Sequence, residues 1–391
     1  MAIEGSGDAN TKPPRIRLGQ VGGGEGAFIG AVHRIASRID DEFELVAGAF
    51  SSTAERSRAS GAALGVDPSR TYDDFAAMAK REARLKDGAE AVSIVTPNHM
   101  HFAVAREFLK RGIHVICDKP LTSTLADARK LVAAAEKSDA VFVLTHNYTG
   151  YPMVRHAREM VRNGDLGRIR VVQVEYPQDW LAEDLESTGQ KQAGWRTDPK
   201  KSGAGGCIGD IGTHAFNLAH FVTGLEAEAV LADIDTFVEG RRLDDNAHVL
   251  LRYAGGAKGM LWSSQVAPGN ENALRIRVYG ERGGLEWHQE QPNHLWWTPL
   301  GEPKRLVTRM GADAGEAAAR VSRIPAGHPE GYLEGFANIY AEAARAIRAR
   351  QAGERPDEAV IHPTVRDGLK GVAFVAAVVD SSSKGGRWVN L

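Results

Sequence analysis

Ile16-Arg17-Leu18-Gly19-Gln20-Val21-Gly22-Gly23-Gly24-Glu25-Gly26-Ala27-Phe28 is the stretch that decides the fold. Residues 16–21 read as a short buried strand. A glycine cluster follows at once, and Phe28, Ala31, Val32, Ile35 and Ile39 then recur at helical spacing. A strand that runs through glycines into a helix is the setting in which a Gly-x-Gly-x-x-small pattern carries meaning. In that pattern Gly22 permits the tight turn, Gly24 lets a pyrophosphate approach the backbone, and Ala27 permits close helix packing. A second frame takes Gly30 as the packing glycine, with the loop three residues longer, and both frames remain open. In either, the helix N-terminus beside Gly26, Ala27 and Phe28 offers free N–H groups and a positive dipole end to phosphates.

Outward from this turn, residues 43–50, 91–95, 113–117 and 141–145 read as further apolar strands. Helical stretches at 52–64, 101–110 and 124–137 separate them. Continuous apolar strands alternating with helices predict a parallel sheet covered on both faces. The rhythm changes near residue 150. A helix at 152–163 and a strand at 169–176 lead into a long polar stretch, 178–206, and a helix at 208–222. Strand-like segments then follow one another at 230–238, 247–253, 258–265, 274–279, 284–288 and 295–298. Gly255-Gly256 and Gly283-Gly284 read as hairpin turns between them. Helices at 330–350 and 364–381 close the chain. The expected architecture is an α/β Rossmann domain over 15–149 followed by an α+β domain over 150–391 with a largely antiparallel, open sheet. Residues 1–14, small, polar and Pro-ended, are expected to be disordered.

Composition excludes several classes. The 391 residues carry 48 Lys and Arg against 50 Asp and Glu, a net charge of −2. A non-specific nucleic-acid binder or a polybasic membrane protein needs a basic excess that is missing here. The two cysteines, Cys117 and Cys207, supply neither a disulfide framework nor zinc-ligand spacing. His248, His288, His294 and His328 lack ligand spacing, so no metal is assigned. No apolar run reaches the ~20 residues that span a bilayer, and the N-terminus has no signal-type apolar region. The expectation is a soluble, cytoplasmic protein with neither nucleic acid nor membrane as partner. Glycine is in excess, at 43 residues, which points to places where the backbone must come close to something.

The second strand ends at Phe50-Ser51-Ser52, with Arg56 one turn on, and no acid stands there for a ribose hydroxyl. Serine bonds a hydroxyl or a phosphate, so NAD is the expected cofactor with NADP left open. Asp118-Lys119-Pro120 closes the fourth strand at its carboxyl end, where α/β sheets bind ligands. In the second half, Gly203-x-Gly205-Gly206-x-x-x-Asp210-x-Gly212-x-His214-x-x-Asn217 opens a helix. Asp210 and His214 are four apart, so one helical face would present both. A carboxylate beside an imidazole fixes its tautomer and raises its basicity. The same spacing equally suits an ordinary surface pair.

These marks, with Thr96-Pro97-Asn98-x-x-His101, resemble the Gfo/Idh/MocA family of NAD(P)-dependent oxidoreductases over nearly the whole chain. The family pattern after strand four is Glu-Lys-Pro, and this chain has the shorter Asp118 before Lys119. The resemblance implies that Lys119 and His214 flank a substrate hydroxyl that gives hydride to the nicotinamide, with His214 as base, oriented by Asp210, and Lys119 stabilising the alkoxide. It also implies that Thr96, Pro97, Asn98 and His101 line the cofactor cleft beside Asp118. Candidates for a carbohydrate pocket are His146, Tyr148 and Tyr151 after strand five, and Trp180, Trp195 and Arg196 in the polar stretch. The expected substrate is a sugar, glycoside or cyclitol. Two further readings are an NAD-dependent glycosidase acting on an anionic sugar such as a sulfoquinovoside, and a non-catalytic cofactor-binding regulator. The open sheet suggests a homodimer or homotetramer.

Overall fold

The computed structural model describes residues 13–391. The disorder expected of residues 1–14 therefore falls, except at its last two positions, outside the described residues. Strand β1 (Ile16–Gly22) is followed by α1 (Phe28–Ile39), β2 (Phe43–Ala49), α2 (Ala54–Ala63) and α3 (Phe75–Glu82). Then come β3 (Ala91–Val95), α4 (His101–Leu109), β4 (His114–Cys117), α5 (Leu125–Glu136) and β5 (Phe142–Leu144). The five strands form one parallel sheet in the order β2-β1-β3-β4-β5. The strand order reverses between β1 and β3, and the crevice at such a point is where open α/β sheets bind ligands. The glycine turn after β1, Thr96 after β3 and Asp118 after β4 all open there.

The glycines choose between the two frames. A Cβ on Gly30 would fall 2.4 Å from Gly23 Cα, so helix and turn touch through hydrogen alone at this point. Gly30 is thus the packing glycine. Ala27 is instead the extended residue before α1, a correction to the shorter frame. Gly24 is small for another reason than phosphate approach. A Cβ there would meet Ser60 Oγ at 2.6 Å and Phe50 O at 2.8 Å, while Gly24 N donates to Phe50 O at 3.1 Å.

The second half supplies α6 (Pro152–Arg162), β6 (Ile169–Pro177), α7 (Lys191–Arg196), α8 (Pro199–Ser202) and α9 (Thr213–Thr223). The strands β7 (Ala227–Asp235), β8 (Asn246–Tyr253), β9 (Lys258–Ser264), β10 (Arg275–Gly280), β11 (Gly283–His288), β12 (His294–Pro299) and β13 (Arg305–Thr308) follow. Three helices, α10 (Glu316–Ala319), α11 (Tyr332–Gln351) and α12 (Val365–Ser383), precede β14 (Val389–Asn390). The nine-stranded sheet runs β13-β12-β11-β10-β6-β9-β8-β7-β14, antiparallel except for the β6–β9 pair. Val172, Val174, Ile276 and Leu261 face a core shared with α6 and α9. On the opposite face Leu250, Met260 and Tyr279 are exposed among the described residues.

The polar stretch is more ordered than its composition suggests, since α7 and α8 lie inside it. The short strands β13 and β14 lack a clear alternating signal. Gly283-Gly284 is not a turn. Both residues lie in β11, and Glu281-Arg282 makes the reversal. Gly255-Gly256 does turn the chain between β8 and β9, with φ of 80° and 92°. Helix α11 returns to the first sheet, where Phe336, Ala337 and Tyr340 pack with Leu18, Val32 and Phe43. One helix of the second half therefore completes the covering of the first sheet.

Gly→Ala in an unobstructed helix gains roughly 0.5–1 kcal/mol, and Gly371→Ala in α12, whose added Cβ meets nothing, should behave so. At Gly30 the overlap with Gly23 reverses the sign. Gly30→Ala should cost about 1–3 kcal/mol and weaken NAD binding. Thermal unfolding and a fluorescence titration check both. Equal stability of the two variants would contradict the close approach.

Candidate active site

Two cavities of about 620 Å³ each meet at the carboxyl ends of the parallel strands. The first is bounded by the glycine turn, by Phe50, Ser51, Ser52 and Arg56 after β2, and by residues 96–100 after β3. Its form suits a dinucleotide. No side chain caps the N-terminus of α1, and no acid stands in its first turn, so its N–H groups remain for phosphate. Thr96 Oγ1 is buried there without a hydrogen-bond partner. Thr96, Pro97, Asn98, Ser51, Ser52, Arg56, Ala27 and Phe28 line this cleft with Gly22 and Gly24. Gly26 does not line it, because it stands at the exposed outer tip of the turn. His101 lies beneath the cleft instead of lining it. Its ring is buried, with Nδ1 2.8 Å from Pro120 O and Nε2 2.8 Å from Thr96 O, so it ties the loop after β3 to the turn after β4.

The second cavity lies between the sheets, and Asp118, Lys119, Arg196, Asp210 and Phe28 line both. Lys119 Nζ donates to Asp210 Oδ1 at 2.8 Å and to its main-chain oxygen at 2.7 Å. The other carboxylate oxygen accepts from Arg196 Nε at 3.2 Å and from Gln265 Nε2 at 3.0 Å. Burial alone would raise the Asp210 pKa. The charges of Lys119 and Arg196 outweigh it and hold the carboxyl far below its usual range.

Asp210 does not orient His214, contrary to the expectation from their spacing. Its oxygens are taken by Lys119, Arg196 and Gln265, and His214 Nδ1 is buried with no partner. The cause is local. Residues 208–212 form a π-turn before α9, so the pair is not displayed as an α-helix would display it. His214 lies against Tyr148, their rings 4.8 Å apart, and edge-on to His146 at 5.4 Å. Burial, followed by the nearby Lys119 and His146, pushes its pKa well below the ordinary histidine value. A ring in that state is neutral at pH 7 and free to take a proton.

Tyr148, Trp180 and Arg196 line the second cavity as expected, and Arg196 stacks 4.3 Å above the Trp195 ring. Trp195 itself faces the first cleft. His146 does not line the cavity: it lies buried behind His214, and burial takes its pKa down to about 4. Tyr151 is a core residue, stacked on Tyr148 and edge-on to Trp287 at 5.5 Å. Gln265, Tyr176, Asn272 and Tyr332 were not among the residues expected at the site. Tyr176 OH bonds the Tyr148 hydroxyl and donates to Asn272 Oδ1 at 2.7 Å, and Gln178 Nε2 donates to the same oxygen at 2.7 Å. Tyr176 reads only as the end of a strand, and Tyr332 arrives from α11, far along the chain. Among the described residues no three His, Cys, Asp or Glu side chains could hold a metal ion, and no helix is long and apolar enough to cross a membrane.

Comparison with known proteins agrees with this geometry. Residues 16–146 match the oxidoreductase family with an NAD-binding Rossmann fold, and residues 154–286 match the GFO/IDH/MocA C-terminal domain. A solved oxidoreductase from Sinorhizobium meliloti is 64% identical, with a TM-score of 0.89 over 96% of this chain and 100% of its own. An inositol dehydrogenase homologue from Azotobacter vinelandii, solved with NAD+, is 38% identical, with a TM-score of 0.92 over 96% of this chain and 97% of its own. The same Azotobacter protein is also solved with NADH and myo-inositol. Levoglucosan dehydrogenase of Pseudarthrobacter phenanthrenivorans is 28% identical over 227 residues, 52% of this chain and 56% of its own. The chain belongs to the GFO/IDH/MocA family of oxidoreductases and carries that family's NAD-binding Rossmann domain.

Proposed function

We propose that this protein oxidises a secondary hydroxyl of a neutral cyclitol or sugar. The observation that carries the proposal is the meeting of Lys119, Asp210 and His214 where the two cavities join. Bound NAD supplies the hydride acceptor. The chain's own part is to hold the alcohol and take its proton. His214, neutral and buried, accepts the hydroxyl proton. The Lys119 ammonium, fixed by Asp210, stabilises the negative charge that develops on the oxygen.

A neutral substrate is favoured because Lys119 and Arg196 already share the Asp210 carboxylate. The rest of the wall is rich in amides and hydroxyls from Asn147, Gln178, Asn272, Gln289 and Tyr176. Such groups suit a ring bearing many hydroxyls. The relatives are dehydrogenases and oxidoreductases and give no support to the glycosidase or regulator readings. Ser51 at the end of β2 suits the ribose hydroxyls of NAD. The face of the nine-stranded sheet on which Leu250, Met260 and Tyr279 are exposed suits contact with a second copy. Incubation with NAD and either myo-inositol or levoglucosan, followed by the absorbance of reduced nicotinamide, tests the reaction class. Absence of reduction across a wider panel of neutral polyols would contradict it.

Lys119→Ala and His214→Ala should each lower turnover by about 10²–10⁴-fold, the usual contribution of a general acid–base group. NAD affinity should stay within a few-fold in both, by fluorescence titration. The pH profile is a separate check. His214 accepts a proton only while neutral, and its folded-state pKa is lowered, so oxidation should hold as pH falls through the ordinary histidine value of about 6.5 and decline only below it. His214→Ala should lose that acid limb. A wild-type limb centred above about 6.5 would remove His214 as the base.

A further inference from the structure

Asp118, just after β4, lines both cavities, at the junction that a hydride must cross. Its Oδ1 accepts from Thr145 Oγ1 at 3.0 Å, and His33 Nε2 lies 3.8 Å from the same oxygen. Among the described residues no Lys or Arg forms an ion pair with it. Lys119, its neighbour in the chain, turns its ammonium to Asp210 instead.

His33, a residue of α1, is fully buried and packs its ring against Phe336 and Tyr340 of α11. Its Nδ1 is 2.8 Å from the Tyr340 hydroxyl and 3.2 Å from Ser93 Oγ. Two hydroxyl neighbours let that nitrogen accept, which leaves the ring proton on Nε2, facing Asp118. Among the described residues Nε2 has no hydrogen-bond partner. Burial by itself would raise the Asp118 pKa. His33, then Lys119 and His101, more than offset it, so the carboxyl stays below its usual range and is ionised at neutral pH.

A half-buried carboxylate that no described Lys or Arg pairs with directs its field at whatever fills the junction. The other charged residues that line the second cavity are Lys119 and Arg196, which share Asp210, and the exposed Glu271; Glu25, Arg56, Asp73, Asp74 and Lys191 line the first cavity. We propose that Asp118 is a cofactor-state selector, stabilising bound NAD+, whose nicotinamide ring is cationic, over NADH, whose ring is neutral. On reduction the ring loses the charge that Asp118 attracts, and the product cofactor is held less tightly. The inference rests on the NAD site and not on the identity of the substrate.

The test measures dissociation constants of NAD+, NADH and ADP-ribose by fluorescence titration for wild type, Asp118→Asn, Asp118→Ser and Asp118→Glu. ADP-ribose lacks the nicotinamide and so reports an intact cleft. Either neutral variant should raise the ratio Kd(NAD+)/Kd(NADH) by about ten- to hundredfold, the size expected of a unit charge several ångströms away at an effective dielectric near 20. ADP-ribose should bind within a few-fold of wild type, and Asp118→Glu should keep the wild-type ratio. An unchanged ratio in a neutral variant that still binds ADP-ribose would overturn the proposal. So would a wild-type protein in which the nicotinamide improves on ADP-ribose more in NADH than in NAD+. Failure of wild type to bind any of the three ligands would instead overturn the cofactor site itself.

Discussion

The contact between Lys119 and Asp210 joins the two halves of the molecule at the point where the two cavities meet. Lys119 lies just after β4 of the parallel sheet, and Asp210 lies in the π-turn that leads into α9. Their 2.8 Å contact, with the further bond to the Asp210 main chain, spans the junction of the cavities. A paired charge that is mostly removed from water is costly to break from one side, because the partner is left uncompensated. The pair is therefore a structural tie between the two halves. Arg196 and Gln265 occupy the remaining oxygen of Asp210, from the polar stretch and from the end of β9 respectively. The carboxylate can then hold the ammonium in one place.

His214 contrasts with this arrangement. It is set by packing against Tyr148 and His146 and not by a carboxylate. Its neutrality comes first from burial, with Lys119 and His146 adding to the shift. The two chemical groups thus receive opposite treatment. The lysine is charged and anchored, while the histidine is uncharged, with Nδ1 unbonded. That division suits a reaction in which one group must hold an oxyanion and the other must receive a proton.

Much of this was legible in the chain. Alternating apolar strands and helices gave the parallel sheet, and the later strand series gave the antiparallel one, because each rests on local periodicity. The glycine turn was legible in kind but not in frame, since the contact between Gly30 and Gly23 depends on how α1 docks. Lys119, Thr96 and Asp210, candidates from strand ends and loop motifs, do line the cavities. Tyr176, Asn272 and Tyr332 were missed, as their meeting depends on tertiary packing that no single motif encodes. The Asp210–His214 pairing was misread because spacing four implies one face only in an α-helix, and the chain makes a π-turn there. His146 and Tyr151 were misplaced because a loop after a strand end was taken to face the pocket, whereas both turn into the core.

In the proposed chemistry Asp210 acts through Lys119 and not through His214. A double-mutant cycle in kcat measures this directly, using Asp210→Asn, Lys119→Ala, His214→Ala and the two doubles that share Asp210→Asn. The account predicts that Asp210→Asn with Lys119→Ala is scarcely worse than Lys119→Ala alone, while Asp210→Asn with His214→Ala shows losses that multiply. The opposite pattern, with Asp210 coupled to His214 and independent of Lys119, would contradict it.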